Sequence, residues 1–158
     1  LAQESLFIGL YINELLYKLL HQNDPHQPLY NFYHQFMSHL SASGLDQAEL
    51  RRFEMLLLEE LGYGLVLDAD AETGQAVNPE HLYYYIPDQG LKLLQVQTAD
   101  SSRAILGADI MALSQGQFEQ PSVLRVAKQL TRQVIDFYLD GKQLNSRELY
   151  RQHLLNSQ

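Results

Sequence analysis

Hydrophobic residues recur at helical spacing through the first part of the chain. Residues 6–20 are apolar on nearly every side, which predicts a helix enclosed by others at the centre of the fold. A second helix begins near Pro28, because proline suits the first turn of a helix, and ends at Gly44. Since the turns between these segments are short, we expect the helices to form an antiparallel bundle.

A third helix is delimited by signals at both of its ends. Asp46 and Glu49 match an Asp-x-x-Glu variant of the capping box, and Gly62 can take the left-handed conformation that stops a helix. The apolar positions between them predict one buried stripe. This stripe comprises Leu50, Phe53, Leu57 and Leu61.

The pattern changes between residues 65 and 97. Glycine and proline interrupt two short apolar runs, Leu82–Ile86 and Leu91–Val96, which predicts a small irregular hairpin module. Helical spacing then returns, weakly over residues 108–113 and strongly over residues 121–139. The buried stripe predicted for this strong helix consists of Val123, Ala127, Leu130, Val134 and Phe137.

A short final helix follows a turn at residues 140–141, and Asn145 with Glu148 matches a second capping box. The predicted fold class is therefore mainly α: one domain over residues 1–158, built as a helical bundle with the hairpin module inserted.

The composition of the chain excludes several classes of site and function. The chain has no cysteine, which excludes disulfides, thiolate zinc sites and cysteine nucleophiles and suits the cytoplasm. No run reaches the roughly 18 apolar residues that span a bilayer.

The net charge of −8 argues against whole-surface binding of nucleic acid, yet residues 121–158 carry six basic and three acidic side chains. This asymmetry predicts a separate contact surface or, alternatively, a solvated helix face.

Local motifs give little support to an enzyme. The six histidines form no zincin-like pair, and neither a nucleophile elbow nor a dinucleotide fingerprint is present. The remaining catalytic alternative is a carboxylate-dependent enzyme that uses Glu14 or Glu54, if burial raises the pKa of either acid. The structural alternative is an acid paired with an arginine or a backbone group.

A helical wheel predicts that Arg51, Arg52, Met55 and Glu59 lie on the outer face of the third helix. Two arginines beside an adaptable apolar side chain suit an acidic peptide that ends in an aromatic residue. The alternative is an exposed face with Arg–Glu pairs within the helix.

Three blocks of sequence resemble the bacterial DNA repair family RecO, in the same order and spacing. They are residues 9–16 (GLYINELL), residues 50–64 (from LRRFE through LGYG) and residues 146–149 (SREL). The resemblance covers essentially the whole chain and corresponds to the part that follows the family's N-terminal OB-fold. The start at Leu1 agrees with the expectation that this OB-fold domain is absent from the chain.

Zinc-containing members of the family carry Cys-x-x-Cys-Gly where this chain has residues 70–74 (DAETG). We therefore expect the hairpin module to keep a zinc-ribbon-like shape without metal or any other cofactor, held together by its apolar residues.

The resemblance implies a non-catalytic recombination mediator, cytoplasmic and associated with the nucleoid. Its partners would be single-stranded DNA, RecR and single-stranded DNA-binding protein, whose acidic, Phe-ending tail we place on Arg51, Arg52 and Met55. With RecR it would contribute to the annealing of single strands and to the loading of RecA. A secondary DNA-contacting surface is predicted at five further cations. They are Arg125, Lys128, Arg132, Arg147 and Arg151. A purely structural helical module remains the alternative to both binding roles.

Overall fold

The computed structural model describes residues 3–95 and 101–157, and it confirms a mainly α fold with a small sheet. Six helices and three short strands occur in these residues, with a 3₁₀ turn at Ser101–Arg103 before the third strand. The elements are α1 (Gln3–Leu19), α2 (Gln27–Ser43), α3 (Gln47–Glu60), β1 (Leu82–Ile86), β2 (Gly90–Leu93), β3 (Ile105–Leu106), α4 (Gly107–Ser114), α5 (Pro121–Leu139) and α6 (Asn145–Asn156).

The central helix is α5, so the prediction that the first helix is enclosed was wrong. Helix α5 packs against α1, α3 and α4 and buries eight of its side chains. Helix α1 leaves Leu6, Leu10 and Tyr17 exposed at 54%, 42% and 85%. An all-round apolar sequence sets what a helix can bury, whereas the number of neighbouring helices decides what it does bury.

One member of the α5 stripe was also predicted wrongly. Val123, Ala127, Leu130 and Val134 are buried as expected, but Phe137 is 48% exposed. Phe137 lies on the same side of the helix as buried Leu130, but it belongs to the last turn of α5. Because the two residues share one side and differ in burial, the position of Phe137 along the helix explains its exposure.

Helix α3 begins with half of the predicted capping box. The Asp46 carboxylate accepts hydrogen bonds from the N–H groups of Ala48 at 2.9 Å and Glu49 at 3.4 Å. The Glu49 carboxylate instead lies 2.8 Å from Nδ1 of His39 on α2. The acid predicted to complete the cap therefore joins two helices.

Helix α3 ends as predicted at Gly62, where φ is 82°. The Tyr63 N–H donates to the Leu58 carbonyl at 2.7 Å, and the Gly62 N–H donates to the Glu59 carbonyl at 3.0 Å. These two bonds define a Schellman motif, which requires a left-handed residue at this point.

The cap predicted for α6 was wrong, because Asn145 is the first helical residue and its side chain caps nothing. The Glu14 carboxylate of α1 accepts the N–H groups of Asn145 at 2.7 Å and Ser146 at 2.9 Å. The Glu148 carboxylate pairs with Arg151 at 3.0 Å. A residue 131 positions away in the sequence thus supplies the acceptor that a helix N-terminus needs.

The hairpin module is a three-stranded sheet with β1 in the middle. Strand β1 pairs antiparallel with β2, with Tyr85 opposite Leu91, and antiparallel with β3, with Tyr83 opposite Ile105. These four side chains are buried. Two residues are too few to show strand alternation, which is why the sequence did not predict β3. Residues 96–97 of the predicted module lie outside the described residues.

A carboxylate organises the turn at residues 70–74, where the resemblance placed Cys-x-x-Cys-Gly. Oδ1 of Asp70 accepts the N–H groups of Glu72 and Thr73 and the Thr73 hydroxyl, at 2.7–3.0 Å. Its Oδ2 accepts the Leu93 N–H at 2.7 Å. These bonds, with the Thr73 N–H foremost, hold the pKa of Asp70 below its usual value. The expectation that apolar residues alone hold this module was therefore incomplete.

Zinc does not fit this turn. Both oxygens of the Asp70 carboxylate already accept hydrogen bonds from N–H and O–H groups. Zinc needs four ligands, most often thiolate or imidazole. Within residues 3–95 and 101–157, no three His, Asp or Glu side chains are grouped so that they could hold a metal ion.

Candidate functional cleft

Arg51 does not lie on the outer face of α3, contrary to the prediction. Its side chain is buried, and its Nη1 lies 2.6 Å from Oε2 of Glu54, which is itself only 1% exposed. Because Glu54 follows Arg51 by three residues, both side chains point to the same side of α3 as Leu50 and Leu58. The buried face of α3 is therefore wider than its apolar stripe.

Glu54 joins three helices through its two carboxylate oxygens. The Tyr11 hydroxyl of α1 donates to Oε1 at 2.7 Å, and the Thr131 hydroxyl of α5 donates to Oε2 at 2.8 Å. Burial first, and the nearby Glu54 carboxylate second, raise the pKa of Tyr11 well above its usual value. Glu54 is thus enclosed by hydrogen-bond donors and an arginine, which favours the structural alternative for this acid.

The pKa of Glu14 is lowered, whereas a general acid that works at neutral pH needs a raised pKa. Burial by itself raises the pKa of Glu14, but the N–H groups of Ser146 and Asn145 and the ammonium of Lys18 outweigh it and lower the pKa from 4.5 to about 2. The Lys18 ammonium lies 3.0 Å from Oε1 of Glu14. A carboxylate that stays ionised at neutral pH holds no proton to donate, so this geometry overturns the raised pKa that the catalytic alternative requires.

An open cleft of about 830 Å³ lies among α1, α3, α5 and α6. It brings together cations that the sequence divided between two predicted sites. Five cations of those predicted sites line the cleft: Arg51, Lys128, Arg132, Arg147 and Arg151.

The cleft carries more positive than negative charge that is free to meet a ligand. Six basic and four acidic side chains line it, and three of these acids pair with the arginines Arg51, Arg147 and Arg151 at 2.5–3.0 Å. Lys128, Arg132 and Lys142 have no acidic partner within 4 Å in the part of the chain that the structure describes. The unpaired charge therefore comes from α5 and from the turn that follows it.

Aromatic and aliphatic side chains form one wall of the cleft. Phe7 of α1 packs against Tyr150 and His153 of α6, with ring centroids 5.5 Å and 5.1 Å apart. Leu154, also on this wall, is 48% exposed. The cleft thus offers cations on one side and an accessible apolar surface on the other.

Two of the residues predicted to bind the tail lie outside the cleft. The Arg52 guanidinium sits 4.7 Å from the ring centroid of Phe118, and Met55 is half-buried against the core. Arg125 lines a smaller neighbouring pocket of about 180 Å³, together with Arg51 and Lys128. The structure therefore separates Arg52 and Met55 from Arg51, while it unites Arg51 with the predicted DNA surface.

Sequence reasoning assigned no binding role to Phe7, Lys142 or Tyr150. Phe7 belongs to the apolar first helix, and Lys142 belongs to a Gly-Lys pair without the spacing of a phosphate loop. The excess of basic residues in 121–158 was the only signal for Lys142. These side chains meet in one cleft because α1 packs beside α6.

None of the helices in the described ranges is both long enough and apolar enough to cross a membrane.

Comparison with known proteins identifies the family. The family model for the C-terminal part of recombination protein O matches residues 3–148. The DNA repair protein RecO of Methylococcus capsulatus is 40% identical over 151 residues, which cover 96% of this chain and 61% of that protein. RecO of Coxiella burnetii is 38% identical (94% and 64% covered), and RecO of Pseudomonas aeruginosa is 36% identical (93% and 61%). The chain thus spans about three-fifths of the length of these relatives, and it belongs to the RecO family by its match to the C-terminal part.

Proposed function

We propose that this domain acts in DNA repair as a non-catalytic recombination-mediator domain, and that its cleft binds the acidic, Phe-ending tail of single-stranded DNA-binding protein. The observation that carries the proposal is the combination of unpaired Lys128, Arg132 and Lys142 with the wall formed by Phe7 and Tyr150. Charge-assisted hydrogen bonds would hold the carboxylates of the tail, and the aromatic wall would receive its terminal ring.

This proposal changes the role given to Arg51. Its guanidinium already pairs with Glu54, so Arg51 contributes positive potential at the base of the cleft rather than a free ion-pairing group. Arg52 and Met55 lie outside the cleft, and the proposal no longer depends on them. We assign the direct contacts with the tail carboxylates to Lys128 and Arg132.

The test is a titration of a fluorescent peptide that carries the tail sequence. We expect Arg132→Ala to weaken binding roughly tenfold, because removing one charge-assisted hydrogen bond costs about 1.5 kcal/mol. Arg52→Ala is the matched control, since it removes the same side chain from an exposed position outside the cleft, and it should bind like the unmodified chain. Equal affinity of Arg132→Ala and the unmodified chain would contradict the proposal.

A second candidate function is contact with single-stranded DNA. Arg125, Lys128 and Arg132 form an exposed line along α5, whereas Arg147 and Arg151 of the predicted DNA surface are partly neutralised by Asp136 and Glu148. Unpaired cations in a line suit a phosphate backbone.

Binding of a labelled oligonucleotide, measured at several salt concentrations, tests this second function. Removing one cation that touches a phosphate should reduce the slope of log affinity against log salt by about 0.7, so Arg125→Ala should bind more weakly and with a shallower slope. The Lys92→Ala variant removes a cation of the hairpin module and serves as the control. Absence of binding even at low salt would rule out the DNA surface.

Because of the family resemblance, we further propose that the domain works with RecR in annealing strands and loading RecA. The cleft would contribute to this role by recruiting the protein to strands coated by single-stranded DNA-binding protein. The test is strand annealing and RecA loading by a full-length protein that carries Arg132→Ala. If both proceed at the unmodified rate on coated strands, the domain has a structural rather than a recruiting role.

A further inference from the structure

Three aromatic side chains form an exposed patch at the end of α5, on the opposite side of that helix from its basic residues. The rings of Tyr63 and Tyr138 stack face to face, with centroids 3.6 Å apart and planes 6° apart. The ring of Phe137 meets Tyr138 edge-on at 5.0 Å and 87°. Tyr63 and Phe137 are 39% and 48% exposed. We call Tyr63, Phe137 and Tyr138 the aromatic patch.

The rings of this patch are held in place before any partner arrives. Tyr63 directly follows Gly62, and its N–H bond to Leu58 is part of the motif that ends α3. Tyr138 belongs to α5, so the stack joins the ends of two helices. A rigid aromatic surface loses little conformational entropy on binding, which is why such residues are enriched in interfaces.

Two exposed acidic residues, Asp88 and Asp140, lie close to the patch. Burial first, and the carboxylate of Asp88 in the turn between β1 and β2 second, raise the pKa of the Tyr138 phenol. Asp140 ends α5, and its N–H donates to the Phe137 carbonyl at 3.2 Å.

Nucleic acid does not suit this surface, although aromatic rings can stack on bases. Single-strand sites combine stacking with cations that follow the phosphates. The charges of Asp88 and Asp140 would instead repel the phosphates. A second copy that presents the same patch is disfavoured for the same reason, because two acidic surfaces would meet.

We propose that the aromatic patch binds a cationic protein segment, with an arginine or lysine of the partner lying against the exposed rings of Phe137 and Tyr63. The quadrupole of an aromatic ring attracts a cation over its face, and the surrounding carboxylates add long-range attraction. This surface differs from the basic cleft in both sign and location. The domain thus presents two contact surfaces that select partners of opposite charge.

The experiment uses the full chain and a synthetic peptide with alternating arginine and leucine (Ac-Arg-Leu-Arg-Leu-Arg-amide) as the probe. Binding is followed by NMR chemical-shift changes in the aromatic side chains. We expect the Tyr63, Phe137 and Tyr138 signals to shift, and Phe137→Ser to lower the affinity roughly fivefold, as expected when one cation–π interaction of about 1 kcal/mol is removed.

Tyr17→Ser provides the matched control, because Tyr17 is 85% exposed on α1 and is not among the rings that contact one another in the patch. Its replacement should leave the affinity unchanged. Asp88→Asn keeps the rings intact, and it should weaken binding at low salt more than at high salt. The proposal is overturned if the unmodified chain does not bind the probe. It is also overturned if the shifts map to another surface, or if Phe137→Ser binds as tightly as the unmodified chain.

Discussion

The Tyr11 hydroxyl donates a hydrogen bond of 2.7 Å to the buried carboxylate of Glu54, and this bond connects α1 to α3 across 43 positions of sequence. The same carboxylate holds Arg51 and receives the Thr131 hydroxyl of α5. One acid therefore joins three of the four helices that border the cleft.

Replacing Glu54 with glutamine should destabilise the fold strongly. The substitution removes the counter-ion of buried Arg51, and removing one partner from a buried ion pair costs about 3–5 kcal/mol. Urea unfolding measures the effect as a lower free energy of unfolding. Glu59→Gln, on the exposed side of the same helix, should change this free energy by less than about 0.5 kcal/mol. Equal stability of the two variants would show that the Glu54 network contributes little.

The docking of α6 should depend on acid pH through Glu14. The pKa of Glu14 is lowered from 4.5 to about 2 in the folded chain, so its stabilising contribution is complete above pH 4.5 and is lost as the pH falls toward 2. Amide hydrogen exchange should show that the N–H groups of Asn145 and Ser146 lose protection over this window.

Glu14→Gln provides the comparison for this pH dependence. Glutamine keeps one carbonyl acceptor but has no charge to titrate, so exchange at Asn145 and Ser146 should be faster at neutral pH and vary less between pH 4.5 and 2. An unchanged pH profile in this variant would mean that Glu14 does not control α6.

Asp70→Asn should loosen the turn of the hairpin module. The asparagine amide would present its NH₂ group either to the Leu93 N–H or to the donors of Glu72 and Thr73, so at least one donor would be left without an acceptor. The expected cost is about 1–3 kcal/mol, seen as a lower melting temperature. Asp68→Asn, at an exposed neighbouring position, is the control and should have little effect.

Gly107→Ala should be costly because of close backbone packing. A Cβ atom at Gly107 would lie 1.9 Å from the Asn78 carbonyl oxygen. The three nearest atoms all belong to the backbone of Asn78 and Pro79, which can move less easily than a flexible side chain. We expect the free energy of unfolding to fall by about 3 kcal/mol or more on chemical denaturation.

Gly116→Ala separates this steric effect from the general cost of replacing glycine. Gly116 has φ of 73° and no atom within 4 Å of an added Cβ, so alanine there should cost only about 1 kcal/mol of backbone strain. If Gly107→Ala were as stable as Gly116→Ala, the contact with Asn78 would not constrain the fold.

Local signals in the sequence determined where most helices begin and end. The bounds of α5, the start of α3 at Asp46 and its stop at Gly62 follow from proline, a capping acid and glycine, which act through the backbone of their own segment. The excess of basic residues after position 120 was equally readable, because composition does not depend on packing.

Tertiary structure alone decided which of these residues meet. Arg51 is buried beside Glu54, a carboxylate that also accepts hydrogen bonds from Tyr11 of α1 and Thr131 of α5. A helical wheel of α3 contains Arg51 and Glu54 but neither of the other two residues. Glu14 caps α6 because α1 packs beside it, while Phe137 is exposed although its place in the stripe predicted burial. Periodicity describes one helix at a time, whereas burial and charge pairing depend on neighbours that are distant in sequence.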